Sequence, residues 1–205
     1  METPAPPLGT PSGNRAPSTR GRKRGLRARH HPVLLMLDET IVPEPPPLVA
    51  CYGHRGEPGE GPVTGQHARR VLHGVRNIQR GGVLCLSTET WEQQTHQAVL
   101  ERIRRHWSGW HIILFDDRGS PHTAATRRQR AKALGIEVRY LPRATPELHA
   151  MDHLWRYVKG RLLAHRATQT IDASVDAACQ ALLAMRPHER LRKAGVLSGH
   201  FWFNQ

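Results

Sequence analysis

Two short runs of this chain are almost wholly apolar, and each ends on a pair of acids. Val33-Leu34-Leu35-Met36-Leu37 stops at Asp38-Glu39, and His111-Ile112-Ile113-Leu114-Phe115 stops at Asp116-Asp117. A strand with one wet face alternates apolar and polar residues, so a run without alternation reads as a strand buried on both faces. Such strands need covering layers on each side of their sheet. An all-helical bundle and a one-sided meander are therefore poor fits.

The rest of the chain supplies those layers. A Pro-rich turn over 43–47 precedes an expected short strand around 48–52 and a Gly/Pro-rich loop over 53–65. Residues 70–78 and 82–86 read as a hairpin turning at Arg80-Gly81. Thr90 and Gln93 have the spacing of a capping box, and Val99, Leu100, Ile103 and Trp107 then keep helical period. Ser120 as N-cap and Pro121 in the first turn predict a helix that Gly135 stops. A strand over 136–141 follows. Thr145-Pro146-Glu147 opens a further helix with Leu148, Met151, Trp155, Val158 and Leu162 on its apolar face, and a last helix covers about 171–185. A meander that turns into alternating strand and helix gives an α/β chain, a mixed sheet with helices on both faces. That is the ribonuclease-H-like arrangement.

Charge narrows the function. Thirty Lys and Arg face 17 Asp and Glu, a net charge of +13. An excess of that size points to a polyanion, and nucleic acid is the leading one. Residues 1–31 carry seven basic residues against Glu2, with five prolines and no hydrophobic period. They read as a disordered basic tail or a linker, leaving 32–205 as the folded domain. No apolar run reaches the length of a membrane span and none follows the basic start as a signal peptide requires. Cys51, Cys85 and Cys179 are too few and too scattered for a disulfide framework. Together these place the chain in the cytoplasm, against the nucleoid. The run Arg127-Arg128-Gln129-Arg130 is expected as solvated helix surface, with DNA contact as the alternative.

Three carboxylates stand at comparable places. Asp38 closes the first strand, Asp117 closes the strand after the first helix, and Asp152 lies in the first turns of a later helix. In a sheet of this order the two strands are neighbours, so acids far apart in sequence converge at one edge. Crowded carboxylates repel unless a cation neutralises them, and a hard oxygen set without Cys suits Mg²⁺ or Mn²⁺. Two such ions can clamp the attacking and leaving oxygens of a phosphodiester. Asp116 competes with Asp117, because neighbours on a strand point to opposite faces and burial does not choose between them. Arg156 and Lys159, at i+4 and i+7 from Asp152, share its helix face as a rim for a DNA backbone or as a plain surface ion pair.

Three blocks carry a family resemblance. Leu37-Asp38-Glu39-Thr40, the stretch from Asp117 through Gly119-Ser120-Pro121-His122, and Leu141-Pro142 through Pro146-Glu147-Leu148 to Asp152 and Leu154-Trp155 resemble the catalytic blocks of mariner-like DDE transposases, in the style of the bacterial insertion-sequence branch. The resemblance covers about residues 33–165. It favours Asp117 over Asp116, since the family's Asp stands five residues before a His and His122 is five after Asp117. Two positions depart from the pattern, His149 and Arg118, where the family usually has Asn.

The resemblance implies a transposase catalytic domain in which Asp38, Asp117 and Asp152 hold two Mg²⁺ or Mn²⁺ ions, with His122 and His149 supporting them. Cleavage at element ends would be followed by attack of the freed 3′ hydroxyl on target DNA. It also implies a homodimer and an upstream helix-turn-helix segment, joined by frameshifting, which residues 1–31 do not provide. The competing readings are a ribonuclease-H-like nuclease or resolvase that never transposes, and a decayed or domesticated remnant that only binds DNA.

Overall fold

The computed structural model describes residues 32–47, 52, 56, 67–143, 145–164 and 170–202. The tail over 1–31 lies outside them, as do all but Tyr52 of the strand expected around 48–52 and most of the Gly/Pro-rich loop.

Five strands form one mixed sheet in the order β3-β2-β1-β4-β5. These are β1 (Val33–Pro43), β2 (Arg69–Asn77), β3 (Val83–Thr88), β4 (Ile112–Asp116) and β5 (Ile136–Tyr140). β1, β2 and β3 are an antiparallel meander, whereas β4 and β5 run parallel to β1. This is the expected ribonuclease-H-like architecture.

The alternation along β1 shows how the sheet is covered. Val33, Leu35 and Leu37 pack into one core with Val99, Leu100 and Ile103 of α1 (Gln93–His106) and Ala131 of α3 (Ala125–Ala133). Met36 and Val42 point the other way, into a larger core built by α4 (Ala150–Tyr157), α5 (Ile171–Ala184) and α6 (Pro187–Lys193). A strand with two buried faces is what an unbroken apolar run predicts.

Several local expectations change. β1 does not stop at Asp38 but continues to Pro43, because β2 keeps pairing with it as far as Pro43–Arg69. What ends near Asp38 is the parallel ladder, whose last pair is Met36–Phe115. The Thr90–Gln93 capping box is absent: Glu92 is the N-cap of α1 without a side-chain bond, and the Thr90 carbonyl accepts from the Thr88 hydroxyl instead. The helix expected from Ser120 to Gly135 is two, α2 (Ser120–Thr123) and α3, with Ala124 in an extended conformation between them. Gly135, at φ +65°, ends the second as expected. The helix expected from Thr145 onward is a 3₁₀ turn (Pro146–Leu148), then α4, then a π turn (Val158–Leu163). The short helix α6 was not anticipated.

Two contacts bring α4 down onto the sheet. The Ala150 N–H at its start donates to Met36 Sδ at 3.0 Å. Gly74, paired with Asp38 across the β1–β2 ladder, leaves room for the ring of Trp155. A Cβ at position 74 would lie 2.5 Å from Trp155 Cζ2 and would overlap Met151. The missing side chain at Gly74 is therefore what lets the helix bearing Asp152 approach the strand bearing Asp38.

Candidate active site

The parallel register, carried two residues past its last pair, sets Asp38 opposite Asp117. Because 36 and 38 share a face, Asp38 lies on the side of the sheet that α4 covers. Asp38, Asp117 and Asp152 line one cleft of about 460 Å³. Each comes from a different element: Asp38 from the middle of β1, Asp117 from just beyond β4, Asp152 from the first turn of α4.

Each carboxylate has a distinct setting. Asp38 is largely buried, and burial together with the charges of Glu39, Asp117 and Asp152 pushes its carboxyl up to about 8. Asp117 is half exposed, and its Oδ1 accepts the Gly119 N–H at 2.8 Å, which orients the carboxylate. Asp152 is held by Arg156, whose Nε donates to Oδ2 at 3.1 Å and whose Nη2 binds the same oxygen. Both partners are well exposed, as expected for an i,i+4 surface pair. Lys159 is the second residue of the π turn that follows α4 and is not among the residues lining the cleft.

His149 lies behind Asp38, its Nδ1 3.9 Å from Oδ2, and burial lowers its basicity against the pull of Asp116 and Asp117. His122 sits 3.5 Å from Asp117 Oδ1 through its Nε2. Two cleft residues went unassigned from sequence, Arg118 and Arg143. Arg118 is anchored by a bond from Nε to the Leu141 carbonyl at 3.3 Å. Its position directly after Asp117 was the available signal.

The other acid of each pair, Glu39 and Asp116, faces away from the cleft. Asp116 is fully buried among the side chains under α1 and α3, where it binds Arg127 and lies 3.1 Å from His122 Nδ1. Arg127 is thus buried, not solvated with its neighbours as the charge run suggested. Burial alone would make His122 less basic, but Asp116 and Glu39 hold it up to about 10. Glu39 reaches His122 through Oε2, at 3.1 Å from Nε2. Against the effect of burial, His122 and His73 keep the Glu39 carboxyl well below the usual carboxylate range.

The donor set of the cleft is three carboxylates, of which Asp38 is the most buried and is crowded by the like charge of its neighbours. Those residues fit hard divalent cations such as Mg²⁺ or Mn²⁺. Among the described residues no helix is long and apolar enough to cross a membrane.

Comparison with known proteins agrees with this architecture. The chain is similar to the Mos1 strand transfer complex at TM-score 0.66 and 19% identity, over 85% of this chain and 54% of that one. It is similar to the mariner Mos1 paired end complex with Mg at TM-score 0.64 and 19% identity, over 85% and 56%. The catalytic domain of Mos1 mariner transposase matches at TM-score 0.57 and 17% identity, over 85% and 81%. The chain therefore spans about half the length of the longer relatives. No curated protein matches it in sequence. The family model described as DDE superfamily endonuclease matches residues 33–174, and the chain belongs to the DDE superfamily of endonucleases.

Proposed function

We propose that this chain is the catalytic part of a DNA transposase, cutting phosphodiesters at element ends and joining the freed 3′ hydroxyl to target DNA. The observation that carries the reading is the convergence of Asp38, Asp117 and Asp152 on one cleft with Arg118 and Arg143 on its wall. In this reading the three carboxylates hold two Mg²⁺ or Mn²⁺ ions. Bound divalent ions supply activation of the attacking oxygen and stabilisation of the leaving one in an in-line displacement.

The protein's own share is charge and position. Asp38 offers a carboxylate whose burial makes cation binding favourable. Gly119 fixes the rotamer of Asp117 through the bond to Oδ1, with His122 behind it, and His149 backs Asp38. Arg156 leaves Asp152 for a phosphate when DNA enters, and Arg118, Arg143 and Lys159 neutralise the backbone beside it. The bacterial insertion-sequence branch is our reading of the Leu141–Trp155 block. A basic tail over 1–31, a domain over 32–205, a cytoplasmic location, a working pair of copies and an upstream helix-turn-helix segment complete it.

The test is a joining assay. A duplex oligonucleotide with the element's 3′ end is incubated with target plasmid, protein and Mn²⁺, and covalent oligonucleotide–plasmid product is scored. Product that Asp152→Asn fails to make supports the reading. Cleavage without joining would instead make the chain a nuclease or resolvase.

A further inference from the structure

A second group of metal-binding side chains lies on the opposite face of the sheet from the acidic cleft. Glu39 of β1, His73 of β2 and His96 of α1 present one donor atom each, all within 4.8 Å of one another. His73 and Glu39 are direct partners in the β1–β2 ladder, so their side chains leave the sheet on the same side. His96 comes down from the helix that covers this face. The two imidazoles are fully buried, at 0% and 1% exposure.

We propose that Glu39, His73 and His96 form a three-ligand binding site for a transition-metal ion of the Zn²⁺ class, with water as the fourth ligand, separate from the Mg²⁺ or Mn²⁺ cleft. The argument rests on three observations.

The separations suit the ion. His73 Nδ1 lies 3.3 Å from Glu39 Oε1, and His96 Nδ1 lies 3.5 Å from the same oxygen. Tetrahedral zinc with bonds of about 2.0–2.1 Å sets its ligands about 3.3–3.5 Å apart.

The hydrogen bonding of the two imidazoles suits ligation. The Thr88 hydroxyl gives its proton to the Thr90 carbonyl and lies 3.0 Å from His73 Nε2, where it can accept. Nδ1 of His73 faces Glu39 Oε1, and an ion bound there would take the place of the hydrogen bond between them. An imidazole whose other N–H is held by an oxygen is the usual state of a metal-ligating His. Neither ring nitrogen of His96 has a hydrogen-bond partner among the described residues. A fully buried imidazole without a partner is costly, and a metal bond removes that cost.

The carboxylate is already sorted into two oxygens. Oε2 of Glu39 is occupied by His122 at 3.1 Å, leaving Oε1 facing the Nδ1 atoms of His73 and His96. An imidazole-rich set prefers Zn²⁺ to Mg²⁺, so the two ion classes separate between the two faces. The bound ion would tie β1, β2 and α1 together directly behind Asp38.

The experiment uses the untagged full chain, stripped with chelator and titrated with Zn²⁺ and then with Co²⁺. Expected are one tight equivalent of Zn²⁺, a rise in Tm, and the intense visible absorption of four-coordinate Co²⁺, all in the presence of excess Mg²⁺. A chain carrying Asp38→Asn and Asp152→Asn keeps all three signals. His96→Gln loses the Co²⁺ bands and weakens Zn²⁺ by more than the roughly 10–100-fold that loss of an outer hydrogen-bond partner costs. Circular dichroism of His96→Gln checks that it is folded. Absence of a tight equivalent in the unmodified chain overturns the proposal, and the protonated Glu39–His73 pair then accounts for the geometry. Loss of the signal in the double Asp variant also overturns it, by assigning the ion to the cleft.

Discussion

Asp116 and Asp117 are adjacent in the chain and serve opposite faces of the sheet. Asp117 enters the cleft shared with Asp38 and Asp152, while Asp116 is buried against Arg127 and His122. The pair Asp38-Glu39 is divided in the same way, so two neighbouring strands each send one acid to the cleft and one to the interior.

Amide substitutions should separate these roles. Asp116→Asn removes one partner of a buried ion pair and is expected to cost about 3–5 kcal/mol. In a domain of this size that is a fall in Tm of roughly 6–20 °C. Asp117→Asn, on a half-exposed residue, should leave Tm within a few degrees. Thermal denaturation of the two variants side by side checks this.

The raised carboxyl of Asp38 sets a pH dependence. Its folded value near 8 lies above the ordinary carboxyl value of 3.8, so the native state holds a proton that the unfolded chain releases. The stability it contributes is complete below about pH 4 and is lost as pH rises through about 8. In metal-free buffer Asp38→Asn should therefore be more stable than the unmodified chain at pH 8, by on the order of 5 kcal/mol, with the difference gone near pH 4. Mn²⁺ should raise the Tm of the unmodified chain and not of the variant. Tm series in pH without metal, and with Mn²⁺ added, give the two results.

Gly74 offers a test of how the cleft is assembled. Gly74→Ala drives a methyl into Trp155 and Met151, and overpacking of that kind costs about 1–3 kcal/mol. It should also shift α4, and with it Asp152, so divalent-metal binding weakens along with Tm. Gly82→Ala is the control, since its added Cβ meets only Asn77 at 3.7 Å. Calorimetric titration with Mn²⁺ on both variants reads the difference.

Much of this was legible before the structure because it depends on period. Two unbroken apolar runs identified the central strands, and the acids at their ends identified the cleft. Burial could not choose between Asp116 and Asp117, because both faces of β4 are covered; the His five residues on made the choice. Harder to read were features set by tertiary contact. Arg127 looks like one more solvated arginine until Asp116 pairs with it across the fold. The gathering of Glu39, His73 and His96 depends on strand register and on the docking of α1, neither of which leaves a local spacing to find. The π turn after Tyr157 likewise carries no period that separates it from an α-helix.

Arg156 distinguishes a surface pair from a DNA contact. Arg156→Ala should change stability by no more than about 0.5 kcal/mol, since the pair with Asp152 is exposed. As a phosphate contact its loss should weaken DNA binding uniformly across sequences and reduce the salt slope by about one. Fluorescence anisotropy with two unrelated duplexes over a salt series provides the measurement.

The central claim is that Asp38, Asp117 and Asp152 form a metal-dependent DNA-cleaving centre. Its most direct measurement is nicking of supercoiled plasmid in Mg²⁺ or Mn²⁺, comparing the unmodified chain with Asp117→Asn. The account predicts nicking that needs the metal and disappears in Asp117→Asn while the fold is retained. Equal nicking by both proteins, or nicking that persists in chelator, would contradict it.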